Sequence, residues 1–423
     1  LCCCPRAGLA GGKFTIYQPI PLYRKFTADH IFTGHQILSG NEVLITDQSG
    51  KVLDMVPTEL AGDGIQYFKG MLSPGFINSH CHLELSHMRG VIPRHTGLVE
   101  FVQQVMGKRT ASMEERLSAM QAAEQELYQT GTVAVGDICN TTDSIEVKKS
   151  SALRWHNFIE VSGFVGVVAQ KRLDAIKDVA QAFLQSGSAQ GVSLVPHAPY
   201  SVSEKLFQLL NEETAHQLIS IHNQEAEAEN ELYKTKSGDF LKLYQNLGID
   251  ISAFQPTGKS SLQSWLPYFT QQQSIILVHN TFTNKNDLEF SQPQSLTAPK
   301  SFREQLPTSY CLCPNANLYI ENKLPPIELL LKHDATIILG TDSYASNGQL
   351  NILEEIKTIQ QENSFNIPTV NILQWATLNA ATVFGWDDEL GSFDTGKQPG
   401  IVHINELDGV NITQESVARR VKV

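Results

Sequence analysis

Between residues 75 and 343 the chain alternates short apolar runs of strand length with longer stretches whose apolar residues recur at helical spacing. That is the βαβα pattern of a parallel sheet. Eight apolar runs stand out: GFINSHCHL, TVAVGDICN, HNFIEVSG, GVSLVPHAP, LISIHNQE, SIILVHNT, SYCLCPNAN and ATIILGTDS. Eight strand and helix units imply an α/β protein with a closed (β/α)₈ barrel, assigned to residues 71–388, whose active site lies at the C-terminal ends of the strands.

Outside that span the texture changes. From Phe26 to Met71 short β-prone runs alternate with turn signals, and Asp47-Gln48-Ser49-Gly50 between two of them reads as a hairpin turn. The segment LGSFDTGKQPGIVHINEL returns to the same style near the other end. Because chain termini often lie close together, residues 14–70 and 389–423 are expected to form one small β-sandwich beside the barrel. LCCCPRAGLAGGK has no initiator Met and no periodicity, so residues 1–13 are expected to be a disordered or non-native leader. QPQSLTAPKSFREQLP, between the sixth and seventh strands, reads as an exposed connector.

The polar residues fall where the apolar runs end. In order these are His80 and His82, Asp137 and Asn140, Glu160, His197, His222 and Glu225, His279, Asn315 and Asn317, and Asp342. His80 and His82 are two apart on one strand, so their rings share a face. Neutral imidazole is the commonest metal ligand, and further histidines at the ends of the fifth and sixth strands, with Asp342 at the eighth, complete a candidate divalent-metal site.

Composition narrows the partner. The 423 residues carry 41% hydrophobic and 18% charged side chains, ample for a large core. A formal net charge of −12 with no long basic run argues against nucleic acid and for a small-molecule substrate. No apolar stretch reaches the roughly 20 residues needed to cross a bilayer. The seven cysteines, Cys2, Cys3, Cys4, Cys81, Cys139, Cys311 and Cys313, are odd in number and irregularly spaced, which fits a reducing, cytoplasmic compartment. The Cys311 and Cys313 pair, among apolar neighbours, is expected to be buried rather than metal-bound.

PGFINSHCHLELS, HAPYSVS, SIHNQEAE, LVHN and LGTDSYASNGQLNILEEI, in that order over nearly the whole chain, resemble the amidohydrolase superfamily in its branch of nucleoside and nucleobase deaminases. The resemblance implies one divalent ion held by His80, His82, His222 and Asp342, because His197 stands where binuclear relatives place a carboxylated Lys. Zinc suits these ligands, and iron(II) is the alternative. The resemblance further implies that water attacks the carbon bearing an exocyclic amine, Asp342 takes its proton, Glu225 protonates the ring nitrogen and His279 stabilises the developing charge. His197, Glu84, Ser86 and Glu160 are the candidates for contacting substrate, and a homodimer is what the family suggests.

The segments after the first strand and at the eighth are similar to aminodeoxyfutalosine deaminases, which act on an adenine-type nucleoside carrying a benzoate. The product would be futalosine plus ammonia. Arg89, Arg94, Lys171 and Arg172 are then candidate partners for the carboxylate. S-adenosylhomocysteine/methylthioadenosine deamination and guanine deamination share the same constellation. An amide or halide hydrolase on the same barrel is a second class, and a non-catalytic scaffold a third.

Overall fold

The computed structural model describes residues 23–422 apart from 189, 292–307 and 365, so the cysteine run, the leader and the connector lie outside the described residues. Alternating apolar positions build β1 (Tyr23–Phe32), β2 (Ile37–Ser39), β3 (Glu42–Asp47), β4 (Val52–Pro57) and β5 (Ile65–Pro74). The expected hairpin joins β3 to β4. Asp47 Oδ1 organises it by accepting from the amides of Ser49 at 2.8 Å and Lys51 at 3.0 Å.

The eight apolar runs then form eight strands. β6 (Phe76–Cys81), β7 (Thr132–Cys139), β8 (Arg154–Val161) and β9 (Gly191–Pro196) pair in parallel in that order. So do β10 (Leu218–Asn223), β11 (Ser274–His279), β12 (Thr308–Leu312) and β13 (Thr336–Leu339). The two ladders close into a (β/α)₈ barrel at two seams. At one, the His222 amide donates to His197 O at 3.0 Å; at the other, the amides of Thr341 and Asp342 donate to His80 O at 3.0 and 3.1 Å. Closure therefore runs through the strand-end histidines and aspartate themselves. Gly340 permits the second seam, since a Cβ there would stand 2.8 Å from His80 Cβ and 2.9 Å from Cys311 Sγ.

The seventh run differs from expectation: its strand stops at Leu312, and a helix (Pro314–Glu321) begins where a longer strand was read. Proline at the first helical position favours that start, because its missing amide proton has no partner to lose there. Cys311 and Cys313 are buried and free. Outer helices bury one stripe, as in Ala169–Ser186, where Ala169, Leu173, Ile176 and Phe183 face the barrel.

The chain ends with β14 (Ile401–Asp408) and β15 (Asn411–Arg420), which pair with each other and, through β14, with β5. The two ends of the chain thus share one seven-stranded sheet, ordered β15-β14-β5-β1-β3-β4 with β2 on β1. Among the described residues no helix is long and apolar enough to cross a membrane.

One charged pair is sealed between the barrel strands and the outer helices. Lys148 Nζ donates to Asp137 Oδ2 at 2.5 Å and to Asn157 Oδ1 at 2.6 Å, with both ionic side chains 0% exposed. Asp137 Oδ1 accepts from the Leu83 amide at 2.8 Å, next to His82. Lys148→Met strands a carboxylate in the core, and a loss of about 3–5 kcal/mol is expected in chemical denaturation. A loss below about 1 kcal/mol would show that the pair is not needed for folding.

Candidate active site

The strand ends gather a compact donor set. His82 Nε2 lies 3.1 Å from His80 Nε2, 3.2 Å from His222 Nε2 and 3.2 Å from Asp342 Oδ1, and His80 Nε2 is 3.6 Å from the same oxygen. A tetrahedral ion with bonds of about 2.0–2.1 Å spaces its ligand atoms roughly 3.3 Å apart, so these donors fit one. The tautomer agrees. His222 Nδ1 donates to His197 O at 2.8 Å, which leaves its Nε2 bare and turned toward the other ligands. Burial holds the pKa values of His80 and His82 well below the ordinary imidazole value, against the charge of Asp342 at His82 and with neighbouring rings adding to it, so both are neutral lone-pair donors.

Asp342 is ionised. Burial by itself would raise its pKa, but the His82 and His279 rings and the Ser346 hydroxyl, which donates to Oδ2, more than offset that. Its backbone is left-handed, at φ +57°, as are Gln224 at +46° and His279 at +72°. Non-glycine residues adopt that region at a cost of about 1–3 kcal/mol each, and such strain concentrates at functional sites.

Glu160, His197 and His222 form a second close group of potential ligands. Here His222 Nδ1 is spent on the His197 carbonyl, and His197 Nδ1 lies 2.6 Å from Ser201 Oγ. That group is organised by protein hydrogen bonds.

Beside the four ligands, Glu225 Oε1 lies 3.5 Å from His279 Nε2. Asn317 Nδ2 approaches His279 Nδ1 at 3.3 Å, so Nδ1 accepts and Nε2 carries the proton that faces the cavity. Burial, then the charge of Asp342, pushes the Glu225 carboxyl well above the ordinary range. The buried end thus presents a carboxyl with a raised pKa, a ring N–H and a metal-binding set to one cavity of about 750 Å³.

His197 and Glu160 also line that cavity. Glu160 Oε2 accepts from Asn140 Nδ2 at 2.9 Å, while Oε1, 3.6 Å from His222 Nδ1, has no hydrogen-bond partner among the described residues. Glu84 and Ser86 are not brought to it. Glu84 accepts from the amides of Asn140 and Thr141 at 3.2 and 3.1 Å, and Ser86 Oγ donates to Leu83 O at 2.6 Å, so both brace loops. Asp137 and Asn315 likewise turn to structural partners, Lys148 and Glu355.

The cavity's exposed end is apolar, walled by Phe101, Val102 and Val105 of one helix (Leu98–Lys108), by Phe164, Val165 and Ile176, and by Leu243 and Leu247. Among the described residues two cations line it, Arg109 and Arg172. Of the four candidate cations Arg172 reaches the cavity, whereas Arg89 and Arg94 lie over the rings of Tyr344 and Tyr319 at 4.9 and 5.3 Å from their centroids. Lys171 is not among the lining residues. Arg109 was missed because it follows a helix rather than a strand, and no strand-end pattern points to it.

The profile of the Amidohydrolase family matches residues 71–416. The chain is 24% identical to a 5-methylthioadenosine/S-adenosylhomocysteine deaminase of Thermoanaerobacter pseudethanolicus, over 80% of this chain and 74% of that one. Helicobacter pylori aminofutalosine deaminase, solved in complex with methylthio-coformycin, superposes with a TM-score of 0.73 at 21% identity, covering 92% of this chain and 93% of that one. An adenosine deaminase from Xanthomonas campestris with bound zinc gives 0.69 at 18% identity, covering 90% and 84%. These structural likenesses establish the fold.

Proposed function

The chain belongs to the amidohydrolase family, and from that premise we propose that it is a hydrolytic deaminase of adenine-type nucleosides, with 6-amino-6-deoxyfutalosine as its substrate. The observation that carries the reaction is the Glu225 and His279 pair set beside four metal-ligand atoms at the buried end of one cavity. Relatives that act on adenine nucleosides support the same reading.

His80, His82, His222 and Asp342 would hold a single divalent ion, zinc or iron(II) by donor type. Such an ion supplies hydroxide at neutral pH by lowering the pKa of water to roughly 7. The protein's own groups do the rest. Asp342, ionised and oriented by Ser346, accepts the proton of the attacking water. Glu225, whose pKa burial raises well above the ordinary carboxylate value, donates to the ring nitrogen as the carbon bearing the amine becomes tetrahedral. His279 offers its Nε2–H to the negative charge that develops there. Glu160, with one carboxylate oxygen free of hydrogen bonds among the described residues, and His197 face the cavity as contacts for base or ribose.

The rest of the cavity supports the substrate. At about 750 Å³ it is sized for a drug-sized molecule rather than a bare base. Its exposed end offers apolar walls and two arginines, which match an aromatic 5′ substituent ending in a carboxylate. Four buried, free cysteines among the described residues support a cytoplasmic setting.

A panel of 6-amino-6-deoxyfutalosine, 5′-methylthioadenosine, S-adenosylhomocysteine, adenosine and guanine, assayed for ammonia release, tests the activity. The first is expected to have the highest kcat/KM, and no ammonia from any member would remove the deaminase reading. Replacing Arg109 and Arg172 by Met is expected to lower kcat/KM for the carboxylate substrate about 10- to 100-fold, the worth of a charge-assisted hydrogen bond, and to leave 5′-methylthioadenosine within about threefold. Equal losses on both substrates would sink the carboxylate assignment.

A further inference from the structure

Gln224 stands between His222 and Glu225, is 0% exposed, and takes a left-handed backbone at φ +46°. All its polar groups are engaged. Its amide donates to Glu229 Oε1 at 2.9 Å, and Nε2 donates to Asp287 Oδ2 at 2.9 Å and Asn230 Oδ1 at 3.2 Å. Oε1 accepts from Thr283 Oγ1 at 2.6 Å, and the main-chain O accepts from the Phe282 amide at 2.9 Å. Asp287 is saturated in turn by Ser260 Oγ, by Gln263 Nε2 at 2.9 Å and by Asn284 Nδ2 at 2.6 Å.

Phe282 and Thr283 belong to the segment that follows His279. The same segment is tied back by Asn280 N to Asn223 O at 3.0 Å, and by Asn317 Nδ2 to Thr281 Oγ1 at 2.6 Å. Gln224 is therefore the node at which the segment carrying Glu225 and the segment carrying His279 are joined. Neither Glu229 nor Asp287 is in an ion pair among the described residues, so two carboxyls are buried here without a cation. An apolar core would stabilise this position at less cost; a polar network in which every polar atom of Gln224 and both oxygens of Asp287 are partnered, with Glu229 Oε2 left without a partner among the described residues, specifies geometry instead.

We propose that Gln224 is a positioning residue that sets the Glu225 carboxyl against His279 across the reacting atoms, an inference that rests on the deaminase reading of that pair. Its left-handed backbone turns the chain immediately after the ligand strand, and its amide side chain locks that turn to the loop after β11. His222 is fixed separately, by its own strand ladder and the His197 carbonyl.

The test uses Gln224→Glu, which sets a carboxylate oxygen against Asp287 and Asn230. The expected result is a fall in kcat of about 30- to 100-fold, the scale of a misplacement near 1 Å, with KM and metal content unchanged. Gln224→Glu with Asp287→Asn restores a carboxylate and amide pair in reverse and is expected to recover about tenfold of the loss. Thr283→Val keeps the shape, removes one donor to Gln224, and serves if Gln224→Glu does not fold; it is expected to lower kcat about three- to tenfold. An unchanged kcat, a loss matched by lost metal, or no recovery in the double variant would overturn the inference. A crystal structure of the variant gives a second readout that needs no substrate: the Glu225 to His279 separation should move from 3.5 Å. If the wild type proves inactive on every aminopurine, the deaminase reading fails, and an unmoved pair in that structure overturns the positioning role independently.

Discussion

Glu225→Gln is expected to lower kcat by about 10³-fold, inside the 10²–10⁴ that a positioned general acid contributes. Gln keeps the shape of the side chain and two N–H donors but has no proton to transfer. Glu225 is not one of the four ligand residues, so metal content should stay at the wild-type value, and KM should move by a few-fold at most. The carboxyl is 3% exposed, and burial, followed by the charge of Asp342, raises its pKa well above the ordinary carboxylate value. The active form is the protonated one. Wild-type kcat should therefore decline as pH rises through that raised pKa, and the decline should be missing in the variant. Steady-state ammonia release across pH, with metal quantified on the same samples, makes the measurement. A variant within about threefold of wild type would remove Glu225 as the proton donor.

The barrel was legible because each strand declares itself twice, by an apolar run and by a polar or ionisable residue at its end. The pattern failed where one of the two signals was misleading. In SYCLCPNAN the apolar residues continue past Leu312, but Pro314 starts a helix, which turns Asn315 toward Glu355 and Asn317 toward His279. Glu84 and Ser86 follow the HxH pair directly, yet a 3₁₀ turn over Leu83–Met88 turns them into loop braces.

The acidic run Glu225, Glu227, Glu229 and Glu231 looks like a solvated face in sequence. In the helix Glu227–Thr235 the period of 3.6 separates its members: Glu227 and Glu231 are exposed, while Glu229 is buried against Gln224 and Ser261. Its partner network includes Asp287, 63 positions from Gln224, and no local pattern connects residues so far apart. Arg109 was hidden for the opposite reason. It is an exposed arginine in sequence terms like any other, and only the packing of the Leu98–Lys108 helix over the barrel mouth gives it a cavity to face.

Removing the divalent ion is expected to bring ammonia release below detection and to lower thermal stability in the same titration. The ligand geometry gives the second effect its size. Without an ion, bare ring nitrogens 3.1–3.2 Å apart face one another and an ionised Asp342, inside a site whose groups are at most 8% exposed. Asp342 and His279 also hold left-handed backbone conformations that the closed seam and the surrounding hydrogen bonds must sustain. An ion present at about 1,000 times its Kd would add roughly 4 kcal/mol to the folded state by mass action. Dialysis against a chelator should therefore lower Tm, and zinc or iron(II) should restore both Tm and turnover. His82→Ala should behave as the chelated protein does but without recovery, because His82 Nε2 is the donor within 3.2 Å of three of the others' atoms. Asp342→Asn separates the two jobs of that residue. It keeps an oxygen for the ion but cannot take a proton from water, so it should regain much of the Tm on adding metal while turnover stays at least about 10²-fold down. Full turnover in the chelated protein, or a Tm indifferent to every divalent ion, would show that these four residues do not hold a working metal.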